Sequence, residues 1–210
     1  MKIINSVLLS GLVAALVFTG CKKETTKNVS KIYTVPTITL KGSTLVILPV
    51  GGTFTDAGAD YVGEDGSTTT IQSSSNNVNT AAAGLYLVNY TKTSASGVYE
   101  TEEQRLVAVT SVNNPVDYSG TYFRSAGPAN MIVTKISNGV YKVTNPGGSP
   151  AGTGVDVYFV ETAPGVFVAP SQPTSVGPFA VIEIAFTATG ATWRVQNSGY
   201  GTGVRTFVKQ

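Results

Sequence analysis

The side chains best suited to contacting a polar ligand lie near the end of the chain, in the turn Asn197-Ser198-Gly199-Tyr200-Gly201-Thr202-Gly203. Glycines on both sides of Tyr200 disfavour its burial in a sheet, and an exposed ring stacks on the apolar face of a sugar while polar groups bind the hydroxyls. Trp193, the only tryptophan, lies beside Arg194 in a strand-like run, where a core position is the alternative to ligand contact. The predicted ligand-binding residues are therefore Tyr200, Trp193, Arg194 and Asn197.

Acid-base chemistry has few candidate residues. The chain has no histidine, which removes the usual base of a catalytic triad and the commonest zinc ligand. Asp156 and Glu161 are five residues apart and would lie on opposite faces of a regular strand, whereas a glycosidase needs two carboxylates at one bond. Glu183 shares a predicted strand face with Phe179 and Val181, where a satisfied or rim carboxylate is the alternative to a catalytic one. We expect no catalytic residue, no enzyme activity and no cofactor.

The densest acidic stretch contains Asp56, Asp60, Glu64 and Asp65. Calcium takes several oxygen ligands of this kind, but the spacing matches no EF-hand loop. We predict a solvated loop without metal, with a calcium site as the alternative.

The charge pattern argues against a nucleic-acid partner. Charged residues make up 12% of the chain, the net charge is +2, and lysine and arginine are scattered. A nucleic-acid surface needs concentrated positive charge.

The single cysteine, Cys21, follows a segment with the features of an export signal. After the basic Lys2, residues 3–18 are almost wholly apolar, a run shorter than the roughly 20 residues that cross a bilayer. The ending Phe18-Thr19-Gly20-Cys21 resembles a lipobox, in which the cysteine is acylated and the preceding peptide removed; an ordinary signal peptide is the alternative. We predict a signal peptide over 1–20, a membrane anchor through lipid on Cys21, and a flexible polar tether over 21–35.

The elements that must position these residues are β-strands. Residues 36–112 contain short alternating runs separated by glycine, proline and acidic turns, which favours a β-sandwich. The clearest strand covers residues 84–92, where Tyr86, Val88 and Tyr90 share one face.

Asn113-Asn114-Pro115 separates a second predicted domain, residues 116–210, with few contacts expected at the boundary. Its runs form consecutive hairpins, the strongest turn being Ser137-Asn138-Gly139. No crossover helix is indicated, which predicts an antiparallel meander closed into a small barrel or a sandwich. The fold class is therefore all-β.

The first predicted domain resembles the bacterial immunoglobulin-like domain of surface lipoproteins. Tyr86, two residues after Gly84, would suit the tyrosine corner of such domains, with a plain core tyrosine as the alternative. The resemblance rests on spaced motifs: Pro36 to Gly42, Phe54 to Ala59, Asn77 to Thr80, Gly84 to Tyr90 and Arg105 to Val109.

The second predicted domain is similar to the C-terminal domain of two-domain lipoproteins from gut anaerobes, many encoded among polysaccharide-uptake systems. The similarity rests on Asp117 to Tyr122, the hairpin of residues 135–145 and residues 193–208. It implies a lipid-anchored outer-membrane protein, at the cell surface or on the periplasmic face, that assists glycan binding or uptake, with the first domain as spacer and the second as binder. The alternative is a non-catalytic structural lipoprotein that docks another envelope protein.

Overall fold

Fifteen β-strands and one short 3-10 turn, Pro150–Gly152, make up the regular structure of the described residues, so the predicted all-β class is confirmed. This computed structural model describes residues 34–152 and 154–210, and the predicted signal peptide, Cys21 and tether residues up to 33 lie outside them. Residues 34–210 form one compact unit. Within the described ranges, no helix has the length and apolar character needed to span a bilayer.

The N-terminal domain is a sandwich of two sheets, as the immunoglobulin-like pattern predicts. One sheet has the order β1-β3-β4, with β1 at Thr37–Leu40, β3 at Ala59–Val62 and β4 at Thr68–Ile71. The other has the order β2-β7-β6-β5, with β2 at Leu45–Leu48, β5 at Ser75–Asn76, β6 at Gly84–Thr93 and β7 at Glu100–Val109. Strand β2 runs parallel to β7, and the other pairs are antiparallel.

The sandwich core follows from the alternation of apolar residues along its strands. In β6, Val88 and Tyr90 are buried, and Tyr86 packs against the same core, as the sequence predicts. The Tyr86 hydroxyl donates a 2.9 Å hydrogen bond to the Ala82 carbonyl oxygen, which confirms the tyrosine corner. A Cβ at Gly84 would lie 3.2 Å from the Tyr86 ring, so glycine at this position lets the ring fold back onto its own strand.

The C-terminal domain is a closed eight-stranded barrel, which settles the choice left open between a barrel and a sandwich. Consecutive strands pair antiparallel, and β15 closes the ring on β8. The strands are β8 (Gly120–Arg124), β9 (Ala129–Ser137), β10 (Val140–Thr144), β11 (Asp156–Ala163), β12 (Val166–Gln172), β13 (Phe179–Thr187), β14 (Gly190–Gln196) and β15 (Arg205–Lys209).

Inward-facing aromatic and aliphatic side chains fill the barrel. Trp193 is fully buried and packs edge-on against Phe159, with ring centroids 5.4 Å apart. The Tyr122 hydroxyl donates a 2.7 Å hydrogen bond to the Tyr118 carbonyl oxygen, and Tyr122 follows Gly120 by two residues, as Tyr86 follows Gly84. In a barrel of eight strands the interior is just wide enough for side chains to fill it, and here they do.

The two domains share a buried apolar cluster. The prediction of few contacts at their boundary was therefore wrong. The outer face of the β2-β7-β6-β5 sheet packs against barrel strands β10, β11 and β12. Both domains contribute buried members of the cluster: Leu85, Leu106 and Ala108 from the sandwich, and Val140 and Val160 from the barrel. Burial of these side chains stabilises the junction by the hydrophobic effect.

Candidate functional site

One face of the β6-β7 pair changes from apolar to polar along its length. Strand β6 carries Leu85, Leu87 and then Asn89 on this face, while β7 places Leu106 opposite Leu87 and Gln104 opposite Asn89. The apolar half is covered, because Leu85 and Leu106 belong to the cluster shared with the barrel. The polar half extends beyond that contact and forms one wall of an open groove.

The opposite wall comes from the barrel, at the end of β12 and the loop that follows it. The groove between the two walls has a volume of about 600 Å³, within the range of small-ligand sites. We call it the polar groove; its lining residues are Asn77, Leu87, Asn89, Glu102, Glu103, Gln104, Ser171, Gln172, Pro173, Thr174, Gly177 and Pro178. A smaller pocket of about 230 Å³ adjoins it and shares Asn89, Glu102, Glu103 and Gln104.

Asn89 is the most informative group in the polar groove. Its side-chain nitrogen donates a 2.7 Å hydrogen bond to the Ser75 hydroxyl, and its side-chain oxygen is buried without a hydrogen-bond partner. A buried acceptor left unpaired costs about 1–3 kcal/mol.

Gln172 also lines the polar groove, but its amide is used within the protein. Its side-chain oxygen accepts from the Tyr158 backbone N–H at 2.7 Å, and its nitrogen donates to the Tyr158 carbonyl oxygen at 2.8 Å. Gln172 therefore fixes the end of β12 to β11 and builds the wall.

Asn197, a predicted ligand-binding residue, holds the loop that forms this wall. Its side-chain nitrogen donates to the carbonyl oxygens of Val176 at 3.1 Å and Pro178 at 2.8 Å. Its side-chain oxygen accepts from the Gly199 backbone N–H at 2.8 Å. The amide thus joins the turn after β14 to the loop after β12.

Tyr200 is half-buried, so its predicted exposure was wrong. Its ring meets Phe179 edge-on, with centroids 5.2 Å apart. A Cβ at Gly147 would lie 2.1 Å from the ring and a Cβ at Gly152 would lie 2.9 Å from the hydroxyl oxygen. Flanking glycines do keep Tyr200 out of a sheet, but the loop after β10 folds over the ring.

Trp193 and Arg194 point to opposite sides of β14. Trp193 donates from its indole nitrogen to the Pro146 carbonyl oxygen at 2.8 Å inside the barrel, so the core alternative is confirmed. Arg194 faces outward and donates to the Glu183 carboxylate at 2.8 Å and to the Thr202 carbonyl oxygen at 2.9 Å. The four predicted residues are neighbours in the chain, but the structure does not bring them together in one open site.

The carboxylates Asp156, Glu161 and Glu183 of the barrel are likewise not brought together in one site. Asp156 pairs with Lys142 at 2.7 Å, whereas Glu161 is fully buried, so the two occupy opposite faces of β11 as predicted. The face assigned to Glu183 was wrong: a bulge between Ile182 and Ala185 interrupts the register, Glu183 takes a φ of +55°, and its side chain is exposed. A bulge turns the following side chains to the other face.

The acidic side chains of the N-terminal domain interact with other groups of the same domain. Asp56 forms a 2.5 Å ion pair with the buried Arg105, and Asp60 pairs with Lys41 at 2.9 Å. Glu64 accepts hydrogen bonds from the backbone and hydroxyl of Ser96. Residues 34–152 and 154–210 contain no group of three or more side chains suited to holding a metal ion.

Comparison with known proteins agrees with the fold of the N-terminal domain. Residues 38–109 match the family described as bacterial surface protein, Ig-like domain. No curated protein matches the chain. Among solved structures, the lipoprotein BT2262 from Bacteroides thetaiotaomicron is similar at 18% identity, with 83% of this chain and 100% of that chain covered and a TM-score of 0.37. The family match over residues 38–109 confirms the immunoglobulin-like resemblance of the N-terminal domain, while the similarity of the barrel to a lipoprotein C-terminal domain stays a prediction.

Proposed function

We propose that this chain is a non-catalytic lipoprotein of the bacterial cell surface that binds a hydroxyl-rich oligosaccharide in the polar groove. The observation that carries the proposal is a groove of about 600 Å³ in which both domains bring amides, hydroxyls and carboxylates together. Lipid on Cys21 would hold the protein at the outer membrane. A domain of the kind found in bacterial surface proteins supports that location.

The chemistry of the lining favours sugar hydroxyls as the recognised groups. A carboxamide both donates and accepts, and a carboxylate accepts from two sides, so adjacent hydroxyls find both functions within reach. Asn89 and Gln104 lie directly opposite each other on β6 and β7, and Thr174 faces them across the groove. The lining residues include no aromatic ring, so we expect hydrogen bonds rather than stacking to supply the affinity.

In this proposal both domains contribute to binding, and the sandwich is more than a spacer. Asn197 acts by holding the wall loop, and Arg194 by bonding to the turn that carries Tyr200. Trp193 acts through the barrel core.

Affinity gel electrophoresis of the detergent-solubilised mature protein against a panel of polysaccharides tests the proposal. We expect at least one polysaccharide to retard the wild type, and Asn89→Ala and Gln104→Ala each to weaken retention about tenfold, as the loss of one or two ligand hydrogen bonds would produce. Asn138→Ala is the matched control, because this exposed amide lies in the β9-β10 turn outside the groove. The proposal fails if the panel gives no retention, or if the groove variants and the control are retained alike.

A second candidate function is docking of another envelope protein. Ile132 and Ile136 are exposed on the same outer face of β9, and Val208 is exposed on β15 opposite Phe123 of β8. A strip of aliphatic side chains on an outer sheet surface is typical of a contact with protein. Loss of co-purifying envelope protein in Ile132→Asp, with glycan retention unchanged, would favour this function.

A further inference from the structure

Two arginines lie at the end of the barrel where β8 ends and β15 begins. Arg124 is the last residue of β8 and Arg205 the first of β15. Arg124 lies two residues after the inward-facing Tyr122, and Arg205 lies two residues before the inward-facing Phe207. Residues two apart in a strand share a face. Both guanidinium groups therefore occupy inner positions of this mouth of the barrel.

Little of their hydrogen-bonding capacity is used by the described protein groups. Arg205 is 7% exposed, and one of its terminal nitrogens donates to the Gly201 carbonyl oxygen at 3.1 Å. Arg124 donates to the Gly148 carbonyl oxygen at 3.2 Å. The Nε of each is buried without a partner, although each guanidinium has five N–H donors.

Within the part of the chain that the structure describes, no carboxylate forms an ion pair with either of these arginines. Among residues 34–152 and 154–210, four ion pairs are formed, and neither Arg124 nor Arg205 takes part in them. Burial, together with the charge of Arg124, lowers the pKa of Arg205, but arginine stays protonated in proteins. The Tyr200 ring, 5.5 Å from the Arg205 guanidinium, offsets only part of the cost of burying a charge.

Glycines let the surrounding backbone approach these side chains closely. A Cβ at Gly127 would lie 2.6 Å from a terminal nitrogen of Arg124, and a Cβ at Gly148 would lie 2.6 Å from its Cδ. The backbone at these glycines therefore packs directly against the Arg124 side chain, which favours a small group over a chain at this end of the barrel.

We propose that Arg124 and Arg205 bind a small oxyanion, a sulfate, phosphate or carboxylate group, at this mouth of the barrel. The planar fork of a guanidinium matches the oxygens of such groups and pairs with two of them at once. A bound anion would also supply the counter-charge that the described side chains do not. This site is separate from the polar groove and does not rest on the glycan proposal.

NMR titration of the arginine Nε–Hε signals tests the site, because the chain contains only four arginines. We expect sodium sulfate or sodium phosphate to shift the signals of Arg124 and Arg205 in a saturable manner, with Arg194 unchanged. Sodium chloride at matched ionic strength should not reproduce the shifts. Arg124→Gln and Arg205→Gln should each weaken binding at least tenfold, and Lys142→Gln, which removes a cation paired with Asp156 away from this mouth, should not.

Two further measurements keep the test decisive. Arg205→Lys retains charge but not the fork, so weaker saturable binding in this variant supports the site even if Arg205→Gln does not fold. Titration with glucuronate, compared with inorganic sulfate, identifies the source: tighter binding of glucuronate assigns the anion to an acidic sugar, and tighter binding of sulfate or phosphate to a free ion. Shifts that never saturate, that chloride reproduces, or that persist in both glutamine variants would overturn the proposal.

Discussion

The Thr110 hydroxyl donates a 2.7 Å hydrogen bond to the backbone carbonyl oxygen of Glu161 and so joins the end of the sandwich to barrel strand β11. Both residues are buried. The same hydroxyl oxygen accepts from the Val112 backbone N–H at 3.1 Å, which turns the chain toward the barrel. The junction is therefore fixed by a polar contact in addition to the shared apolar cluster.

Thr110→Val should lower the free energy of unfolding by about 1–3 kcal/mol, because it keeps the side-chain shape but leaves buried backbone groups without a partner. Urea denaturation measures the change. Thr134→Val, an exposed position on β9, is the matched control and should change stability by less than about 0.5 kcal/mol. Equal effects of the two substitutions would contradict the role assigned to Thr110.

Asp56→Asn should destabilise the N-terminal domain by about 3–5 kcal/mol, because it leaves the buried Arg105 without its carboxylate. Asp60→Asn removes an ion pair between exposed side chains and should cost far less, because solvent screens that pair. Thermal or urea unfolding at neutral pH compares the two variants. A cost for Asp60→Asn as large as that for Asp56→Asn would count against the importance of burial.

The carboxyl group of Asp56 should make the stability of the N-terminal domain depend on pH in the acid range. Burial acts to raise the pKa of Asp56, but hydrogen bonds from Tyr90 and the Gly58 N–H and the charge of Arg105 outweigh it and lower the pKa below its ordinary value. The stabilisation is thus present above the unfolded-state pKa of about 4 and lost as pH falls through the lower folded-state pKa. Urea unfolding from pH 6 down to about pH 2 should show a shallower decline in Asp56→Asn than in the wild type; parallel curves would refute the assignment.

Tyr122→Phe should lower the free energy of unfolding by about 1–2 kcal/mol at neutral pH, because the Tyr118 carbonyl oxygen loses its donor. Burial, with a smaller effect from Asp117, raises the pKa of Tyr122 to about 12, above the unfolded value of about 10. Its contribution is complete below pH 10 and is lost as pH rises toward 12. Circular dichroism between pH 8 and 12 should therefore show a smaller alkaline loss of stability in Tyr122→Phe, and a loss equal to that of the wild type would disprove the prediction.

Asn197→Ala should loosen the loop between β12 and β13, because two hydrogen bonds to Val176 and Pro178 are lost. We expect a stability cost of about 1–2 kcal/mol and faster hydrogen exchange at the Gly177 amide, which bonds to the Thr174 carbonyl oxygen within the loop. Hydrogen-exchange mass spectrometry measures the change, with Asn138→Ala as control. Unchanged exchange in the loop would show that Asn197 does not hold it.

Features set by local spacing could be predicted from the sequence. The Gly84-Leu85-Tyr86 spacing suited a hydroxyl that returns to nearby backbone, with a plain core tyrosine as the alternative. Strand alternation placed Asp156 and Glu161 on opposite faces. Alternation failed at Glu183, because a bulge adds a residue and shifts the face, and nothing in the run of residues 179–187 marks its position.

The polar groove could not be predicted, because its walls come from distant parts of the chain. Asn89 and Gln104 face Thr174 only because an apolar cluster docks the sandwich on the barrel. The covering of Tyr200 by the loop after β10 is likewise a tertiary effect. The sequence does indicate that one face of β6 changes from apolar to polar, since Leu85, Leu87 and Asn89 lie two residues apart. It does not indicate which part of the chain forms the opposite wall of the groove.

Closure of the barrel determines how another polypeptide could engage each domain. Every barrel strand has a neighbour on both sides, so its main chain offers no place for a foreign strand to add to the sheet. The sandwich sheets, by contrast, end in β1 and β4 and in β2 and β5. Binding by addition of a strand is thus confined to the N-terminal domain. A protein that binds the barrel must contact its side chains or its loops.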